Sequence, residues 1–177
     1  MASSTISQFP TGGSSGSLMY IPKIDAMRKI VKAPNVILHQ VSLPVVNIDG
    51  LVREVAKEMM QTLTTLRERE LYLGMAAVQL GEPLRIIVVL FNMYSREFRE
   101  PVIILNPEIV KKSEKLVESR EGCLSLSGTY TVKRHKLVKV QGLDLNGARV
   151  VYKERQRPAF ALQHEIDHLD GKLISDK

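Results

Sequence analysis

Between Pro158 and Leu169 the apolar side chains Phe160, Ala161, Leu162, Ile166 and Leu169 are interrupted by His164, Glu165 and His168. The spacing predicts a buried helix, with Pro158 suited to its first turn and Gly171 placed to end it. Buried imidazoles need partners or a metal. Residues four apart on a helix differ by about 40° and one turn, so His164 and His168 project from one face and can grip one ion. Glu165 lies about 100° around from His164, within reach of a water on that ion, in a general-base position. Two imidazoles are one ligand short of a catalytic site, which generally uses three protein donors and leaves a fourth position to water. The chain must therefore fold so that another segment brings a donor to this helix.

Cys123, in Glu121-Gly122-Cys123-Leu124-Ser125, is the sole thiol, and as a thiolate it would complete the ligand set. An inert buried cysteine and a thiol nucleophile partnered by His135 or His39 are the competing readings. A third segment, Gly74-Met75-Ala76-Ala77-Val78-Gln79-Leu80-Gly81, is small and flanked by glycines. It permits close backbone approach, and Gln79 offers an amide donor to a developing oxyanion; a glycine-bounded turn with an exposed glutamine reads equally well.

Around these segments the pattern is α+β. Leu51, Val52, Val55, Met59, Leu63 and Leu66 recur at helical steps between Asp49 and Glu70, with Asp49 as a plausible N-cap. Short β-type runs follow at Arg85 to Phe91, Pro101 to Leu105, Val132 to Val140 and Arg149 to Tyr152. Asn146-Gly147 marks a tight hairpin. Strands between an early and a late helix, without βαβ alternation, predict mostly antiparallel sheets packed around the HExxH helix. The first 22 residues hold no Asp, Glu, Lys or Arg and read as part of a flexible Ser/Gly-rich leader over 1–24, followed by one catalytic domain over 25–177.

Several classes are excluded. The longest apolar runs, such as Ile86 to Phe91, fall short of the roughly 18 residues of a membrane span. One cysteine forms no intrachain disulfide, so a reducing compartment fits. The net charge of +6 attracts acidic partners without naming one. Lys133, Arg134, His135, Lys136 and Lys139 form the densest basic cluster, with only Tyr130 near it, and read as a solvated face rather than a nucleic-acid site.

The three segments, in this order, resemble the three motifs of the peptide deformylases, and the likeness extends from the Ile30 to Val45 segment, similar to the family's N-terminal strand, through to Leu173. Asn106-Pro107 and Arg134 also match the family. The resemblance implies that Cys123, His164 and His168 bind the metal, that Glu165 moves protons, and that Gln79 and the Leu124 amide form the oxyanion site. Gly74, Met75, Glu121, Gly122 and Ile166 would contact substrate, with Leu126 a further candidate for the methionine pocket. It implies one divalent ion, Fe(II) in the cell, with Zn, Ni or Co accepted. The implied activity is removal of the N-formyl group from N-formylmethionyl peptides, releasing formate. The peptide would lie extended along an exposed strand edge, with broad tolerance beyond the first residue. Cytoplasm of a bacterial or phage-type host is the expected location, an organelle the alternative, with transient ribosome contact and neither DNA nor membrane as partner.

Three departures stand out: Tyr72 where the family has glycine, Leu126-Ser127-Gly128 for Val-Pro-Gly, and an end at Lys177 without the C-terminal helix of many bacterial members. The rival readings are a metallopeptidase, since HExxH also marks those enzymes, and a catalytically altered binding protein of the same fold.

Overall fold

The computed structural model describes residues 28–67, 72–91 and 101–177, so the expected 1–24 leader lies outside the described residues. Strands β1 (Gly74–Ala76), β2 (Ile86–Val89), β3 (Val102–Lys112), β6 (Leu137–Leu143) and β7 (Arg149–Arg155) form one sheet in the order β1-β2-β3-β6-β7. Among the described residues, strands β4 (Leu116–Gly122) and β5 (Thr129–His135) pair only with each other. All of these pairings are antiparallel, as the α+β reading expects.

Helices α1 (Gly50–Arg67) and α2 (Arg157–Leu169) cover opposite faces of the larger sheet. Ile86 and Val88 of β2 pack into the cluster with Val55, Met59 and Leu63 of α1. Ile87 and Val89 pack into the cluster with Leu162, Ile166 and Leu169 of α2. Covered on both sides, β2 reads as an unbroken apolar run rather than an alternation.

Asp49 caps α1 as expected, its Oδ1 accepting from the Val52 amide at 3.0 Å. Leu51 is the exception on the predicted apolar face: it is half exposed in the first turn, whereas its neighbour Val52 is buried. α2 begins with Pro158 in its first turn and is closed by Gly171 at φ 70°. A Cβ on Gly171 would lie 2.4 Å from the His39 carbonyl oxygen, so backbone proximity as well as dihedral angle demands glycine there.

The predicted strand Val132 to Val140 is in fact two strands of different sheets, β5 and β6, divided at Lys136. Val132, Arg134, Val138 and Val140 are all buried, so the period-two pattern continues across the switch and conceals it. β4 escaped the sequence reading because its exposed charges, Glu118 and Arg120, dilute the alternation. The Ile30 to Val45 segment is not a strand: it forms a 3-10 turn over Val36–His39, then the isolated bridges Val41 to Asp170 and Leu43 to Leu84. The hairpin at Asn146-Gly147 exists, but only Gly147 has positive φ. Asp144 shapes this turn, its Oδ1 accepting from the Asn146 and Ala148 amides.

Candidate metal centre

Three elements meet at the site. β1 runs into a 3-10 turn, Ala77–Leu80, that buries Gln79; the loop after β4 carries Cys123; α2 carries His164, Glu165 and His168. The loop folds back at Cys123, where the Leu126 amide donates to the Cys123 carbonyl and the Ser125 amide donates to Cys123 Sγ at 3.4 Å. This turn presents the sulfur to the helix. Cys123, His164 and His168 each offer a donor atom, and the three lie within 4.8 Å of one another. Sγ is 3.2 Å from His168 Nε2, and the imidazole rings stand 5.0 Å apart at 70°.

The residues fit a metal ion. A thiol and two imidazoles converge while buried, His168 Nδ1 and Glu165 Oε2 lack hydrogen-bond partners among the described residues, and the S, N, N donor set suits a borderline divalent ion.

The surroundings orient the donors. His164 Nδ1 is 3.0 Å from Glu121 Oε2, which leaves Nε2 as its free donor atom. Arg134, 2% exposed, holds the Glu121 carboxylate in a fork, Nε to Oε1 at 2.9 Å and Nη2 to Oε2 at 2.7 Å. Its Nη1 donates to Asp167, which also receives Lys177 Nζ. Burial alone would raise the Glu121 carboxyl, but its bonds with His164 and Arg134 bring it down to about 2. Among the basic residues expected to be solvated, Arg134 is thus the correction: Lys133, Lys136 and Lys139 are exposed, whereas strand alternation turns Arg134 inward. That alternation is the signal that could have found it in the sequence.

Glu165 lies against β1. A Cβ at Gly74 would sit 2.7 Å from Glu165 Oε1 and 2.8 Å from its Cγ, so glycine makes room for this carboxylate. Burial, opposed in part by the His164 charge, raises the Glu165 carboxyl to about 7. Gln79 is fixed at both ends: Oε1 accepts from the Ala76 amide at 3.0 Å, and Nε2 donates to Ser125 Oγ at 3.1 Å and toward Cys123 Sγ at 3.6 Å. Ser125, buried here, was not singled out by the sequence reading.

An open cleft of about 480 Å³ reaches these groups, and its lining includes Gly74, Gln79, Glu121, Gly122, Cys123, Leu124, His164 and Glu165. Tyr72, Leu73, Phe160 and Ala161 supply apolar wall. Met75 and Ile166 do not line it. They are core residues, Met75 in the cluster beneath α1 and Ile166 on the inward face of α2. Leu126 packs behind Cys123 with Val132 and Ile174. His135 pairs through Nδ1 with the Ser113 carbonyl, and His39 is half exposed beside Asp176; Cys123 instead faces His168, so neither serves as base to the thiol.

An α+β fold whose last helix sets two imidazoles and a buried glutamate against a loop thiol, at the floor of an open cleft, defines a centre of the metal-dependent hydrolase class. The model of the polypeptide deformylase family matches residues 27–177. The peptide deformylase of Bartonella tribocorum is 36% identical over 152 residues, covering 85% of this chain and 83% of the relative. A crystal structure of a peptide deformylase from Legionella pneumophila superposes with a TM-score of 0.76 at 36% identity, covering 85% of each chain. A Met-Ala-Ser-bound class I type b peptide deformylase from Acinetobacter baumannii gives a TM-score of 0.76 at 29% identity, covering 86% of this chain and 99% of that one. The chain belongs to the polypeptide deformylase family, metal-dependent hydrolases that remove the N-formyl group from nascent peptides.

Proposed function

We propose that this chain deformylates N-formylmethionyl peptides at the centre just described, with Cys123, His164 and His168 holding a single divalent ion. The observation that carries the reading is the convergence of these three donors beside a buried glutamate with an unpartnered oxygen. When bound, the ion acidifies water and polarises the formyl carbonyl. Glu165, whose carboxyl is raised to about 7, accepts the proton of the attacking water and returns it to the departing amine. Gln79 Nε2 and the Leu124 amide donate to the oxygen on which negative charge develops. Glu121 is a positioning residue, because its carboxylate is engaged by His164 and Arg134 and orients the first imidazole.

The substrate adds along β4. Among the described residues that strand has β5 on one side alone, and residues 118–122 line the cleft, so an extended peptide can continue the two-stranded sheet through main-chain bonds. The methionine side chain packs on the wall of Tyr72, Leu73, Phe160 and Ala161. The Met-Ala-Ser held by the Acinetobacter baumannii structure is the product this geometry accommodates. The thiolate and imidazole donors suit Fe(II), with Zn, Ni or Co as substitutes. The domain is the whole of residues 25–177; it works in a reducing cytoplasm and contacts the ribosome transiently through its basic surface.

Assay of formate release from formyl-Met-Ala-Ser, with metal content measured on the same sample, tests this. One ion per chain and stoichiometric formate are expected; cleavage of an internal peptide bond without formate would instead establish the metallopeptidase reading.

A further inference from the structure

The cleft adjoins further depressions along the surface. Glu118, Arg157 and Phe160 border both the cleft and a second depression at the start of β4; Lys136 and Gln156 border that depression and a third; Ser113 and Leu137 link the third to a fourth. Adjoining depressions thus run from the metal-centre cleft past Lys115 and Lys136, where the Lys136 amide donates to the Lys115 carbonyl. A peptide whose formyl end lies at Cys123 and whose backbone follows β4 toward Leu116 is led into this groove. At about 3.3 Å per residue, the span from Gly122 to Leu116 takes about six substrate residues.

Beyond that point the lining is cationic. Lys115, Lys136 and Arg155 are exposed there, as is Arg157 nearer the cleft, and none has an ion-pair partner among the described residues. Further along, Lys111, Lys139 and Lys153 stand directly opposite one another across three strands, an arrangement of like charges that weakens a sheet. Among the described residues of these three depressions, Glu118 is the sole carboxylate. Aromatic platforms for bases are absent from the groove apart from Phe160 at its cleft end, so stacking on a single-stranded nucleic acid is not what it offers.

We propose that this groove is an extended substrate subsite that favours acidic side chains from about the sixth residue of the formyl peptide onward. The proposal rests on the deformylase reading above and adds to it a sequence preference outside the reacting centre. The attraction is between exposed charges, so it is modest and screened by salt.

The test compares kcat/KM for formyl-Met-Ala-Ser-Gly-Ser-Gly-Glu-Glu-Glu with that for the same peptide ending in three glutamines, and for formyl-Met-Ala-Ser as reference. At low salt the glutamate peptide is expected to be favoured about fivefold, chiefly through KM, with the advantage lost at about 0.5 M salt. The triple substitution Lys115→Gln, Lys136→Gln and Arg155→Gln should abolish the advantage and leave turnover of formyl-Met-Ala-Ser unchanged. Equal kcat/KM for the two long peptides, or a preference that survives the triple substitution, overturns the proposal. So does a triple variant that loses affinity for duplex RNA yet keeps the glutamate preference, which would assign the cations to nucleic acid. Failure to hydrolyse any of the three peptides would defeat the deformylase reading itself.

Discussion

Gly74 and Glu165 show how one side chain's absence sets another's position. With Glu165 Oε1 2.7 Å from where a Cβ would stand, Gly74→Ala must displace the carboxylate, and we expect kcat to fall about 100-fold with metal content unchanged. Glu165→Gln keeps the shape and removes the proton acceptor; formate release should drop by about a thousandfold while the ion stays bound. Arg134 acts one layer out. Replacing it by Met leaves the Glu121 carboxylate without its cation while Asp167 keeps only Lys177, which should cost about 3 kcal/mol in urea denaturation and weaken metal binding about tenfold. Arg134→Lys cannot rebuild the fork and should restore little of either.

At the scale of elements, each helix owes its place to a terminal signal plus one apolar face. Asp49→Ala removes the cap on α1 and should lower stability by about 1 kcal/mol, read as a shift in Tm without loss of specific activity. α1 supports the sheet from the side away from α2, so its fraying leaves the ligand geometry in place. The helices were readable in the sequence because a 3.6-residue period and caps are local properties. The passage from β5 to β6 was not, since the backbone changes sheets at Lys136 without changing which side chains point inward. β4 was hidden for a related reason: among the described residues it is an edge strand beside the cleft, and its exposed positions carry charges rather than apolar side chains.

In the whole molecule, a metal held as proposed would tie α2 to the loop after β4. Chelation should therefore abolish formate release and lower Tm, by the amount that ligand binding adds to the folded state, about 2.7 kcal/mol at a hundred times Kd. Reloading with Fe(II), Co, Ni or Zn should restore both. Because Cys123 is a ligand in this reading, an aerobic Fe(II) preparation should lose activity as the thiolate oxidises, whereas a nickel form should persist; equal decay of the two would count against thiolate ligation.

By itself the sequence determined the reactive groups: a sole thiol, two imidazoles one turn apart, a glutamate between them, a glutamine in a small-residue segment. It also determined both helices and the antiparallel character of the rest, all consequences of spacing along the chain. Tertiary structure decided what no spacing contains. It brought Cys123 to His168, joined Arg134 to Glu121 and Glu121 to His164, sent Met75 and Ile166 to the core instead of the cleft, and set cations without ion-pair partners among the described residues beside the cleft's open end. Those outcomes depend on which strand lies beside which, and pairing between distant segments is fixed by packing of the entire sheet rather than by any local run of residues.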